Sequence, residues 1–210
     1  MMLRQQLQIT FLATLLLMGS AQATDPMKTD NKHVQIWNKF ARDCLKLHHD
    51  LTDNKNYRVT TRVGGYANAK NYYIEKQYFD KKRLVSRVLW EKQNPKKLHT
   101  IEVFVHDKKG RVTRDYTAAY LPSYENAPSQ TLITFHHYKG NLHAFRTFDA
   151  SGEMTLERCT GKNAKGQNIS IMLDDNELLN DPDDIMSTSE YKTCFKGLKQ
   201  ETLGKYIIPQ

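Results

Sequence analysis

The chain has 210 residues, 39% of them hydrophobic, and a formal charge of +8. That length suits one domain with one hydrophobic core. Its basic residues are scattered as Lys81-Lys82-Arg83, Lys96-Lys97, Lys108-Lys109 and a looser group at 192–205; this fits solvated turn tips or an affinity for anionic surfaces such as lipid headgroups and glycans, and with no aromatic-basic module it argues against nucleic acid as a partner.

Residues 1–23 have the layout of a secretory signal peptide: Arg4, an apolar run at 9–18 broken only by two Thr, and the small-x-small box Ala21-Gln22-Ala23. The run is roughly half the ~20 residues a membrane span requires, so no transmembrane anchor is expected after cleavage. The expected product is periplasmic or secreted: a single α+β domain over 24–210 with a flexible N-terminal segment.

From His33 to Asp53 the residues Val34, Trp37, Ala41, Cys44, His48 and Leu51 recur at three- and four-residue steps, with Phe40 and Leu47 beside them. This spacing predicts an amphipathic helix with one buried face. Beyond Tyr57 the pattern becomes short β-rich segments at 72–74, 84–90, 101–106, 112–120, 132–138, 142–148 and 154–159, with one more at 169–173. Asp107-Lys108-Lys109-Gly110 and Asp149-Ala150-Ser151-Gly152 have Asp opening and Gly closing a turn, the pattern of a bulged hairpin. The segments at 106–112 and 148–154 resemble the aromatic-Asp-x-x-Gly-x-aliphatic core of YD-type hairpin repeats. The resemblance spans about ten residues at each place and implies a hairpin there, not membership of that family. Pro182-Asp183-Asp184 opens a predicted short helix reaching Leu198, with Tyr191, Cys194, Phe195 and Leu198 on one face.

Together these elements predict an α+β fold: a curved antiparallel β-meander of about seven to eight strands, the N-terminal helix packed on it and a short C-terminal helix. Cys44, Cys159 and Cys194 all lie beyond the signal segment. In an oxidising compartment two of them should pair. Cys44 and Cys194 both fall on apolar helix faces, so the expected disulfide is Cys44–Cys194, ahead of Cys44–Cys159.

Histidine offers the first chemistry. If Lys139-Gly140 forms the hairpin turn, His136 stands directly opposite His143 on one sheet face, where two imidazoles could share a Cu or Zn ion with His106 as third ligand. The competing reading is a polar cross-strand pair. Cys44 and His48, four apart on a helix, could also bind a soft metal; a disulfide-bonded Cys44 beside a partly buried His48 satisfied by backbone or water is the plainer account.

Catalytic patterns are thin. Ser189-Glu190-Tyr191-Lys192 matches S-x-x-K, but no companion element of penicillin-binding enzymes accompanies it. The acidic run at 174–184 lacks the ligand spacing of a calcium loop. Asn168-Ile169-Ser170 is a glycosylation sequon only in a eukaryotic host. The expectation is therefore a non-enzymatic exported binding or accessory protein of the cell envelope. It would present aromatic-rich strands to a protein, lipid or anionic envelope component. The alternatives are a Cu/Zn-handling protein and, similar in architecture only, a half-barrel lipid or lipoprotein carrier.

Overall fold

The computed structural model describes residues 31–121, 127–174, 183–198 and 209. The expected signal segment, half of the stretch 121–130 that holds Pro122 and Pro128, and most of the acidic run at 174–184 lie outside the described residues.

Helix α1 spans Lys32–Thr52 and starts where the Asn31 side chain accepts a hydrogen bond from the His33 backbone N–H at 2.8 Å. That contact satisfies one of the donors a helix start leaves open. The chain leaves the helix through Asp53 and Asn54, the latter at φ 59°. Val34, Phe40, Ala41, Cys44 and His48 are buried, as the stripe predicts, while Trp37, Leu47 and Leu51 are partly buried at its margin.

Nine strands follow: β1 Arg58–Tyr66, β2 Ala69–Asp80, β3 Arg83–Glu91, β4 Leu98–His106, β5 Val112–Ala119, β6 Gln130–Lys139, β7 Asn141–Asp149, β8 Met154–Lys162 and β9 Asn168–Asp174. They form one antiparallel sheet in chain order, each strand hydrogen-bonded to the next. The meander is as expected; the count exceeds the seven to eight predicted. The unforeseen strand is β1, and β2 runs well beyond the short segment at 72–74. β1 is an edge strand exposed along most of its length, so its sequence lacks the apolar alternation that marks a half-buried strand.

The two Asp-to-Gly turns are bulged hairpins. At the first, Gly110 N–H donates to Asp107 O at 2.9 Å, and Asp107 Oδ1 accepts from the Lys109 and Arg111 backbone N–H groups. The second repeats the arrangement with Asp149, Gly152 and Glu153. Gly110 and Gly152 sit at φ 80° and 89°, the left-handed region this turn demands.

The single C-terminal helix expected up to Leu198 is two: α2, Asp183–Ser187, and α3, Ser189–Phe195. Thr188 separates them and caps the second, its hydroxyl accepting from the Tyr191 N–H at 3.2 Å.

Both α1 and α3 pack on the same sheet face. Under α1, Phe40, Ala41 and Cys44 meet Val88, Ile101, Val103, Tyr116, Ala118 and Ile133. Under α3, Tyr191, Cys194 and Phe195 meet Leu142, Ala144, Cys159 and Leu173. Each fully buried aliphatic side chain among these is worth roughly 1.5–3 kcal/mol over leaving it exposed.

This division corrects the expected disulfide. The bond is Cys159–Cys194, Cα–Cα 6.0 Å, and Cys44 is a buried free thiol. Both helices do present a cysteine inward, but α1 lies over β3 to β6 while α3 lies over the β7–β8 end. Cys44 and Cys194 therefore belong to separate apolar clusters, and the cysteine facing Cys194 is the inward-pointing one of β8.

Candidate functional site

Among the described residues no helix packs on the other sheet face, and its side chains are held by one another. Arg62 and Glu75, directly paired across β1 and β2, are joined at 2.9 Å, with Gln77 donating to the same carboxylate at 2.5 Å. Glu75 is only 1% exposed despite its charge, and its carboxylate accepts from both Arg62 and Gln77. Arg87 and Glu102, paired across β3 and β4, form a two-pronged contact, with Nε to Oε2 at 2.9 Å. A forked guanidinium–carboxylate pair fixes both side chains more firmly than a single contact does.

The centre of this face is a line of three side chains. Asp115 Oδ2 lies 2.6 Å from His136 Nε2, and His136 Nδ1 lies 2.9 Å from His143 Nε2. A carboxylate can only accept, so neutral His136 carries its proton on Nε2 and accepts at Nδ1; His143 must then donate from its own Nε2. Burial, with His136 and Arg158 nearby, lowers the His143 pKa below its ordinary value. The His143 ring stacks on Tyr138, centroids 4.5 Å apart and planes within 5°. The Arg111 guanidinium lies 4.6 Å from the Tyr138 ring centroid and is itself held by Asp107 at 2.7 Å.

The histidine pair was foreseen on one face, but its register was not. The hairpin closes Lys139↔Leu142 over Gly140-Asn141, so Tyr138 opposes His143 and His136 opposes Phe145. Moving the turn by one residue shifts the pairing by two, which keeps each side chain on its face and turns direct opposition into a diagonal. His106 does not join them. It ends β4 opposite Val112, and β5 stands between its strand and β6. Among the described residues no group of three or more His, Cys, Asp or Glu side chains is placed to hold a metal ion. Sequence reasoning missed Asp115, whose role depends on which strands are neighbours.

The plainer account of the α1 pair is corrected in both parts: Cys44 is a free thiol, and His48 is held by a side chain, Ser86 of β3. His48 Nδ1 lies 3.0 Å from Ser86 Oγ, and burial lowers its pKa to about 4. Burial, then Asp43, pushes the Cys44 thiol well up, against the thiolate a soft metal requires. Ser189 donates to Glu190 at 3.0 Å, which leaves the S-x-x-K match without its Ser–Lys contact.

On the helix-covered face sequence reasoning also missed a buried polar cluster. Arg146 and Glu157, 2% and 0% exposed, form an ion pair, and Tyr191 donates to Glu157 Oε2 at 2.6 Å. Burial and the adjoining Glu157 raise the Tyr191 pKa to about 12. Arg146 also lies 3.3 Å from Leu198 O, tying the chain beyond α3 to β7. The cluster sits beside the disulfide partners Cys159 and Cys194 and locks α3 onto the sheet, a structural role.

No helix among the described residues is long and apolar enough to cross a membrane. The disulfide is compatible with an extracellular or periplasmic setting. Comparison with protein-family models, with curated proteins and with solved structures finds no match to this chain.

Proposed function

We propose that this chain is an exported, non-enzymatic binding or accessory protein of the cell envelope that presents the helix-free face of its sheet to a partner. The observation that carries the reading is the pre-arrangement of that face: Arg62–Glu75, Arg87–Glu102 and Asp115–His136–His143 span β1 to β7 as fixed polar pairs. A surface whose long side chains are already ordered loses little entropy on binding, which is what a recognition face needs. The half-barrel carrier reading is less well supported, because beneath α1 the space between helix and sheet is filled by side chains at most 2% exposed. A photo-crosslinking residue at Thr117, on the helix-free face, tests the proposal against one at Lys39 on the outer side of α1. A discrete adduct in the host envelope from Thr117 alone is expected; none there, or equal labelling at both positions, rejects it.

A second reading, Cu or Zn handling, is favoured by one contact: Asp115 fixes His136 with Nδ1 turned toward His143. A carboxylate behind a ligating imidazole is the usual support of a metal site. Two imidazoles on one tetrahedral zinc stand about 3.3 Å apart, a small opening from the hydrogen-bonded 2.9 Å. Metal content after loading distinguishes the readings: near-stoichiometric metal that His136→Ala abolishes supports this one, and less than about a tenth of an equivalent removes it.

A further inference from the structure

An open sheet ends in two strands whose outer backbone groups lack sheet partners. Among the described residues they are β1 and β9, and the sequence treats them differently. β1 carries Arg58 and Arg62, the pair Gly64-Gly65 and a register break between Gly64 and Tyr66. These are devices that blunt an edge. β9, with the sequence Asn-Ile-Ser-Ile-Met-Leu-Asp, contains no Lys, Arg, Pro or Gly and pairs with β8 through seven successive residues without a bulge. Met172 on it is 55% exposed. Ile169 and Ile171 are only partly buried against the cluster under α3, while Leu173 is buried.

We propose that β9 is a homodimer interface, in which a second copy adds its own β9 antiparallel to the first and extends the sheet across a two-fold axis. Centring that axis on Ile171 sets Ile171 against Ile171 of the second copy, Ile169 against Leu173 and Ser170 against Met172. The apolar residues stay on the helix-covered face, continuing its layer. Met172 gains a neighbour across the new ladder, and no like charges are opposed. The other pairings of edges are poorer. β1 on β1 brings Arg58 and Arg62 of two copies onto one surface, and β1 on β9 is head-to-tail and does not close into a dimer. One seven-residue strand pair buries less than the ~1,000 Å² of a durable interface, so the dimer is a weak one.

Sedimentation of the full chain, disulfide intact, from about 1 μM to 1 mM tests this. The expected result is a monomer–dimer equilibrium in which amides of residues 168–174 exchange roughly tenfold more slowly at the high end. Ser170→Lys with Met172→Lys, both exposed positions, should weaken the dimer at least tenfold or so at unchanged melting temperature. A monomer at every concentration overturns the proposal. So does a dimer without concentration-dependent protection in β9. If the double variant unfolds, the exchange data on the unaltered chain decide alone.

Discussion

Cys194 of α3 is bonded to Cys159 of β8 across a sequence separation of 35 residues, which ties the C-terminal helices covalently to the sheet. Closing a loop of that length in the unfolded chain gives about 4 kcal/mol of stabilisation in the chain-entropy account. Cys194→Ser should lower the urea unfolding free energy by roughly that amount. Peptide mapping without reductant should recover Cys159 linked to Cys194. Cys44, fully buried, should resist maleimide until the chain unfolds, and labelling of Cys44 in the native protein contradicts the packing of α1.

The buried Arg146–Glu157 pair predicts an order of severity. Glu157→Ala leaves a desolvated guanidinium without its carboxylate and should cost about 3–5 kcal/mol. Tyr191→Phe removes one hydrogen bond to Glu157 and should cost about 1–3 kcal/mol. Urea titrations of the two variants measure this, and a milder effect for Glu157→Ala than for Tyr191→Phe counts against the cluster as described.

Stability should fall in mild acid because of His48. Its folded pKa is lowered to about 4 by burial and by His49, with Asp53 opposing, while Ser86 and Tyr78 face the ring from the sheet. In the unfolded chain the ring titrates near 6.5. Between these values the unfolded state holds a proton the folded state lacks, so this stability is complete above about pH 6.5 and is lost as pH drops toward 4, by up to about 3 kcal/mol. His99, His106 and His143 are shifted the same way, mainly by burial. Unfolding free energies at pH 7.5 and 4.5 should differ less in His48→Gln than in the unaltered chain; identical slopes would refute the assignment.

The histidine line makes a spectroscopic prediction. With both rings neutral, His136 and His143 should both be Nε2–H tautomers in long-range proton–nitrogen spectra. Asp115→Asn, which can also donate, should release that constraint on His136 and disturb His143 in turn. Unchanged ring signals in the variant mean that Asp115 does not set the tautomers.

The helix stripe, the bulged turns and the meander were legible because each is written locally, in three- and four-residue steps or in an Asp and a Gly at fixed offsets. β1 was not, because an edge strand exposed on both sides has no buried face to impose alternation. The disulfide was misread because an inward-facing cysteine on a helix says nothing about which strands that helix covers. The pair His136 and His143 was half legible: parity of the strand put both on one face, but the turn residue that fixes register lay one position beyond the expected one. Asp115 and Glu157 belong to contacts between strands, and their partners emerge only with the sheet order.

Sheet order and chain order coincide from β1 to β9. A chain that emerges amino-terminus first, from a ribosome or a translocation pore, can therefore add each strand to the one just before it. Helix α1 is the exception: it comes out ahead of every strand, yet the strands that cover Phe40, Ala41 and Cys44 run from β3 to β6, so its apolar stripe waits until residue 139 is free. Of the described elements, α1 is the one exposed longest during synthesis, and the one a holding chaperone has most reason to shield.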